Sequence, residues 1–277
     1  MLRISSARLG AQQLFDACFV LNLDRRSDRW AHMSRQIAKA KLAKLTAGGV
    51  VERVSGIDGR ALNVNGLVEE GLITQAGYTR FCLPQDQKLF GMDLTPGAIG
   101  CAMGHRKIWQ LVEARRLERA LILEDDVEFS PKFASTVASR VARVPSDWEL
   151  IYFGGLDLLA KGKPPRPFLA DGVRYAYNGH RELTAYMVHW RSAQRCLALS
   201  ASMTWQIDTH ITSNCTNDPA ADDSYISDPK SYVLQPSLAI QLTSIGTDVQ
   251  INTSENPSLE DASRRMREFV GGGTSVR

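Results

Sequence analysis

Three carboxylates stand in a row at Glu124, Asp125 and Asp126, directly after the apolar run Ala120-Leu121-Ile122-Leu123. Packing three negative charges together costs free energy unless protons or a cation compensate them. Carboxylate oxygens suit hard divalent ions such as Mg²⁺ and Mn²⁺. Side chains alternate along an extended segment, so Glu124 and Asp126 are expected on one side and Asp125 on the other. A pair so placed can hold an ion that bridges a nucleotide diphosphate and neutralises it as a leaving group. A solvated acidic turn or a helix cap accounts for the same spacing equally well. The three residues alone do not choose.

The elements around them follow from periodicity. Cys18 to Leu23 is an apolar run that turns polar at Asp24-Arg25-Arg26, as a buried strand does on entering a functional loop. Trp30, Met33, Ile37 and Ala40 then recur at helical spacing. Val50 to Val54, Ala120 to Leu123, Leu150 to Phe153, Thr184 to His189 and Tyr232 to Leu234 read as further strands. A helix opens at Pro96-Gly97 and places His105 on an otherwise apolar face. Ser130-Pro131 is expected to cap the next helix, and Ser192 the one containing Ala193 and Cys196. Residues 60–96 read as a loop-rich excursion, and 158–173 as a mobile loop. Strands alternating with helices predict an α/β fold with a mostly parallel sheet covered on both faces. In such sheets ligands bind beyond the carboxyl ends of the strands, where the three acids lie.

Bulk properties narrow the classes. The chain has 277 residues, 44% of them hydrophobic and 23% charged, so a packed core is expected. A net charge of +3 without a dominant basic block argues against nucleic acid. It leaves open a weak peripheral attraction to an anionic membrane surface. Cys18, Cys82, Cys101, Cys196 and Cys215 form no CxxC pair and suit isolated thiols in a reducing compartment. Residues 1–16 lack the apolar run of a secretory signal, and no stretch is long enough to span a bilayer, so a cytoplasmic location is expected. The polar segment 251–277, ending in Gly271-Gly272-Gly273 and four more residues, reads as a flexible tail. A catalytic domain is therefore expected over 17–250, after an N-terminal extension of 1–16.

Six segments taken together carry a resemblance. They are FVLNLDRRSDR (19–29), GAIGCAMGHRKIW (97–109), ALILEDDVEF (120–129), DWELIYFGG (147–155), TAYMVH (184–189) and, more loosely, QPSLAIQLTS (235–244). In this order they resemble glycosyltransferase family 25, which includes bacterial lipooligosaccharide and collagen galactosyltransferases. The resemblance implies a GT-A-type, Rossmann-like fold and inverting transfer from a nucleotide sugar, usually a UDP-sugar, to a glycan or protein acceptor. It places Asn22, Asp24, Arg25 and Arg29 beside the nucleotide, with Asp58 and Gly59 near the base or ribose. Forked arginine donors suit phosphate, although a charged helix start would also account for them. It places His105, Glu124 and Asp125 at the donor, with Asp126 and Glu124 on the Mn²⁺ or Mg²⁺ ion. For His105 a hydrogen-bonded core position remains the alternative. Asp208 falls where the family carries a late acidic residue and is the candidate base for the acceptor hydroxyl. His210 is the candidate third metal ligand, a capping Asp and a surface His being the bland alternative. The acidic stretch 212–230 does not match the family. Two further readings stay open: a nucleotide-sugar-binding protein without turnover, and a metal-dependent phosphohydrolase.

Overall fold

The structure is a computed structural model that describes residues 13–89, 91–157, 166–177, 180–212 and 226–250. Most of the N-terminal extension, the polar tail, half of the loop expected at 158–173 and most of the acidic stretch 212–230 lie outside the described residues.

Eleven strands are described: β1 (Ala17–Asn22), β2 (Val51–Ser55), β3 (Ala120–Glu124), β4 (Val127–Phe129), β5 (Leu150–Tyr152), β6 (Leu156–Asp157), β7 (Val173–Tyr175), β8 (His180–Arg181), β9 (Ala185–Val188), β10 (Ser231–Leu234) and β11 (Ala239–Gln241). The helices are α1 (Ser27–Lys39), α2 (Leu42–Leu45), α3 (Val64–Glu69), α4 (Gln75–Phe81), α5 (Pro96–Ala114), α6 (Phe133–Val141), α7 (Trp190–Leu199) and α8 (Ile207–Thr212). Seven strands form one sheet in the order β2-β1-β3-β9-β5-β10-β7. Five of them, β2, β1, β3, β5 and β10, run one way, and β9 and β7 run against them. The sheet is thus mostly parallel and Rossmann-like, as expected.

Alternation along the central strands explains the layering. In β1 and β3, Phe19, Leu21, Ala120 and Ile122 face a core shared with Ala102, Ile108, Trp109 and Val112 of α5 and with Ala193 and Cys196 of α7. Cys18, Val20, Leu121 and Leu123 face the opposite core, with Met33 of α1 and Phe133 and Val137 of α6. Strands buried on both faces must be apolar throughout, and β1 and the first four residues of β3 are fully buried.

The start of α5 sits closer to the loop after β2 than ordinary side chains allow. Thr95 caps it by accepting from the Ala98 amide, and Pro96 opens its first turn. A Cβ on Gly100 would fall 2.2 Å from the Ile57 carbonyl oxygen, and one on Gly59 would fall 1.5 Å from that of Pro96. The two glycines let the loop after β2 lie directly on the start of α5.

Three local expectations are corrected. The stretch 60–96 holds two short helices, α3 and α4, capped by Asn63 and Thr74 and packed around Leu67, Ile73, Leu94 and Ile99. Gly66 and Gly77 obscured them in the periodicity, yet the Gly66 and Gly77 amides are the ones those caps satisfy. Helix α6 starts at Phe133 rather than at Pro131, with no side-chain cap. Helix α7 is capped by His189, whose ring accepts from the Ser192 amide, and not by Ser192.

Candidate functional site

Loops leaving the carboxyl ends of β1, β2 and β3 converge on a cleft of roughly 660 Å³, solvent-facing space included. Arg25, Arg29, Asp58, Gly59, Glu124, Asp125 and Asp126 all line it. Seven of the candidate residues are therefore brought together, from segments up to about a hundred positions apart.

The acidic triplet does not divide as strand alternation predicted. β3 ends at Glu124, and Asp125-Asp126 form the turn into β4, so the period of two lapses there. Glu124 turns toward α5, where its Oε1 lies 3.1 Å from His105 Nε2. Asp125 and Asp126 instead share Arg29 of α1, whose Nη1 lies 2.5 Å from Asp125 Oδ1 and 3.4 Å from Asp126 Oδ2. Asn22 at the end of β1 donates to the other Asp125 oxygen at 2.7 Å and accepts from Arg53 Nε at 2.8 Å. Asp125 is thus an anchor that ties β1, α1 and the acidic turn together.

Asp126 is different. Its Oδ2 accepts from Gln241 of β11 at 3.2 Å, but its buried Oδ1 has no hydrogen-bond partner among the described residues. Burial, and after it the neighbouring Glu124, pushes its carboxyl up to about 7 despite Arg29. An orphaned carboxylate oxygen among further acids fits a divalent cation, with Glu124 as the second donor. Cys101, His105 and Glu124 also bring ligand atoms within 4.8 Å of one another. Burial, above all, pushes the Cys101 thiol well up, so it stays protonated and is a poor ligand.

His105 does not line the cleft. It is fully buried, its Nδ1 lies 2.9 Å from the Tyr186 hydroxyl, and Trp109 Nε1 donates to that same hydroxyl at 2.8 Å. Its place is behind Glu124, at a buried position hydrogen-bonded to Tyr186 and Glu124. Asp24 also lies off the cleft lining, with its side chain 68% exposed and its oxygen near Ser55 and Arg53. His210 is not a partner of Asp126 or Glu124. Its Nε2 lies 3.0 Å from the Leu199 carbonyl at the end of α7. On a helix, the residue two positions after Asp208 points to a different side, which removes it from the acids.

Arg25 reaches Asp58 at 2.9 Å and Asp248 at 2.6 Å, and Arg26 also pairs with Asp248. Arg60, with Arg25 beside it, holds the Asp58 carboxyl below its usual range. Residues 243–250 run as a strap across the cleft, fixed where Arg29 Nη2 donates to the Gly246 carbonyl and where Thr95 donates to that of Val249. Asp248 and Gln241 were not singled out from the sequence: Asp248 stands outside the segments of resemblance, and Gln241 is an uncharged residue in the loosest of them.

Asp208 opens α8, away from the cleft lining. Its Oδ2 accepts from the Glu182 amide at 3.0 Å and its Oδ1 from the Thr209 amide at 2.6 Å. Glu182 itself was missed. It precedes β9 with a left-handed backbone (φ 79°), unusual for a non-glycine residue.

The fold and site define a Rossmann-like α/β protein whose acid-lined cleft opens at the carboxyl edge of the sheet. The sequence model for glycosyltransferase family 25 (LPS biosynthesis protein) matches residues 15–211. Among curated proteins, the chain is 32% identical over 143 residues to procollagen galactosyltransferase 1 of Danio rerio, covering 50% of this chain and 21% of that protein. It is 34% identical over 143 residues to procollagen galactosyltransferase 2 of Homo sapiens, with the same coverage. It is also 36% identical over 143 residues to inactive glycosyltransferase 25 family member 3 of Homo sapiens, covering 50% of this chain and 22% of that one. The matches thus span about a fifth of the length of these relatives. This chain belongs to glycosyltransferase family 25.

Proposed function

We propose that this chain transfers a hexose, galactose or glucose, from a UDP-sugar to a hydroxyl of a glycan or protein, with inversion and with a divalent cation. The observation that carries the reading is Asp126: a buried, partnerless carboxylate oxygen beside Glu124 at the tip of β3. Two of the similar proteins are named as galactosyltransferases, which supports galactose and, through their printed names, a collagen-like acceptor.

Glu124 and Asp126 would hold Mn²⁺ or Mg²⁺, and the ion would supply positive charge against the departing diphosphate. His105, held by Tyr186, fixes the Glu124 carboxylate toward the cleft. Asn22 and Arg29 hold Asp125, and through it the turn that aims Asp126. Arg25 stands at the cleft mouth, where its forked donors suit a phosphate. Asp58 and Gly59 form the wall laid against α5, which would face the base or ribose. The catalytic unit is read as spanning 17–250. Among the described residues no helix is long and apolar enough to cross a membrane.

The test is release of UDP from UDP-galactose and UDP-glucose, with Mn²⁺ and with EDTA. Mn²⁺-stimulated release that Asp126→Asn abolishes, in a variant that stays folded, supports the reading. UDP binding without release under any of these conditions favours a second one, a nucleotide-sugar-binding protein without turnover. Similarity to a relative named as inactive gives that second reading its weight.

A further inference from the structure

The strand β9 runs antiparallel to β3, and this places an unexpected residue at the sheet edge that carries the acids, behind the cleft lining rather than in it. Leu123 pairs with Ala185, and the Glu124 amide donates to the Thr184 carbonyl at 2.9 Å. Because β9 is reversed, its entering end lies at the edge where β3 delivers its acids. Glu182 is two residues before Thr184, at that edge.

Three features set Glu182 apart. Its backbone is left-handed (φ 79°), a conformation that costs free energy for a side chain with a Cβ and that persists only where the surroundings enforce it. The enforcing contact is Asp208, whose carboxylate accepts the Glu182 amide. Among the described residues no donor reaches the Glu182 carboxylate, while Asp208 spends both oxygens on backbone amides. The charged groups that act on Glu182 are Asp208 on α8 and Glu124 and Asp126 at the tip of β3. Burial first, then these carboxylates, push its carboxyl up to about 8. A carboxylate raised this far is a strong base once ionised, and a cation held by Glu124 and Asp126 would favour the ionised form.

We propose that Glu182 is the catalytic base of sugar transfer and that Asp208 is a positioning residue that holds the Glu182 backbone in its strained form. The inference rests on the glycosyltransferase reading above. The acceptor hydroxyl gives its proton to the Glu182 carboxylate as its oxygen bonds to the anomeric carbon. The bond from that carbon to the diphosphate oxygen breaks, and its electron pair leaves with the nucleoside diphosphate.

The experiment follows UDP release from UDP-galactose with Mn²⁺, using water as acceptor and then added azide. Azide has no proton to lose, so a nucleotide-sugar transferase lacking its base can still use it. Wild type, Glu182→Gln, Glu182→Gly and Asp208→Asn are compared, with UDP affinity measured by calorimetry. Glycine accepts φ 79° without strain and leaves room for azide, so Glu182→Gly is expected to melt at or above the wild-type temperature. The expected result is a loss of roughly a hundredfold or more in water-dependent release for both Glu182 variants, with UDP affinity within about threefold of wild type. Azide is expected to restore release in Glu182→Gly. Asp208→Asn is expected to lower kcat with little change in KM for UDP-galactose. An active wild type with equally active Glu182→Gln, or with no azide rescue of a folded Glu182→Gly, overturns the base assignment alone. A wild type that releases no UDP even with azide overturns the transferase reading, and the base with it.

Discussion

Arg29 Nη1 lies 2.5 Å from Asp125 Oδ1 with both side chains under a tenth exposed, and the same nitrogen reaches Asp126. A buried cation shared by two carboxylates is the least replaceable part of the site, because removing it strands charge that water cannot reach.

Arg29→Met should therefore destabilise the metal-free chain by about 3 kcal/mol, the cost typical of breaking a buried pair from one side. Urea unfolding in EDTA measures it. A loss below about 1 kcal/mol would show that Asp125 and Asp126 are compensated by other means.

The Asp126 carboxyl, raised to about 7, gives a signed pH dependence. An unfolded aspartate titrates near roughly 3.9, so between about 4 and 7 the folded chain keeps a proton that the unfolded chain has released. Stability from this group is full below about 4 and is lost as pH rises through 7. The difference in thermal midpoint between wild type and Asp126→Asn, followed from pH 4 to 8 in EDTA, should move against wild type across that window. Saturating Mn²⁺ should flatten the difference by settling the ionised form. A difference independent of pH in EDTA would contradict the shift.

Gly59→Ala should disturb the cleft through its wall. The added Cβ would meet the Pro96 carbonyl oxygen at 1.5 Å, a backbone atom that cannot swing aside. Overpacking of this kind costs about 3 kcal/mol, and the loop after β2 should part from α5. Weaker UDP binding together with a lowered urea midpoint is the expected pair of results. Unchanged values of both would mean that the loop adapts freely.

Asp248→Asn should free Arg25 from the strap, while Arg26 keeps its bond to the Ile245 carbonyl. If Arg25 serves a phosphate, Asp248 competes with it as an internal anion, and neutralising it should strengthen UDP binding by about twofold to fivefold, the range of a partly exposed ion pair. Calorimetry at low salt checks this. A weaker affinity would show that Asp248 holds the arginines in place for the nucleotide.

How far the site could be read in advance differs from residue to residue. The strand cores at Cys18–Asn22 and Ala120–Leu123 were plain, because a strand covered on both faces can contain almost nothing but apolar side chains. The acids were plain as a cluster; the family resemblance put Arg25 and Arg29 beside the nucleotide and Asp58 and Gly59 near its base or ribose, and all four line the same cleft as the acids. Helices α3 and α4 were hidden because their glycines mimic loop composition while serving caps and close contacts. His210 was misplaced because spacing from Asp208 says nothing of which way a short helix is rotated.

The amino-acid order by itself determined which segments are buried, where the charged loops follow them, and that Glu124, Asp125 and Asp126 form one acidic tip. Burial and period are local properties, written within a few residues. Only the tertiary structure decided that Asp125 and Asp126 share Arg29 while Glu124 turns to His105, and that Asp248 pairs with Arg25 across 223 positions. It alone decided that β9 runs backward and so carries Glu182 to the edge holding the acids. Strand direction and pairing between distant segments are set by the packing of the whole sheet, which no single window of the chain contains.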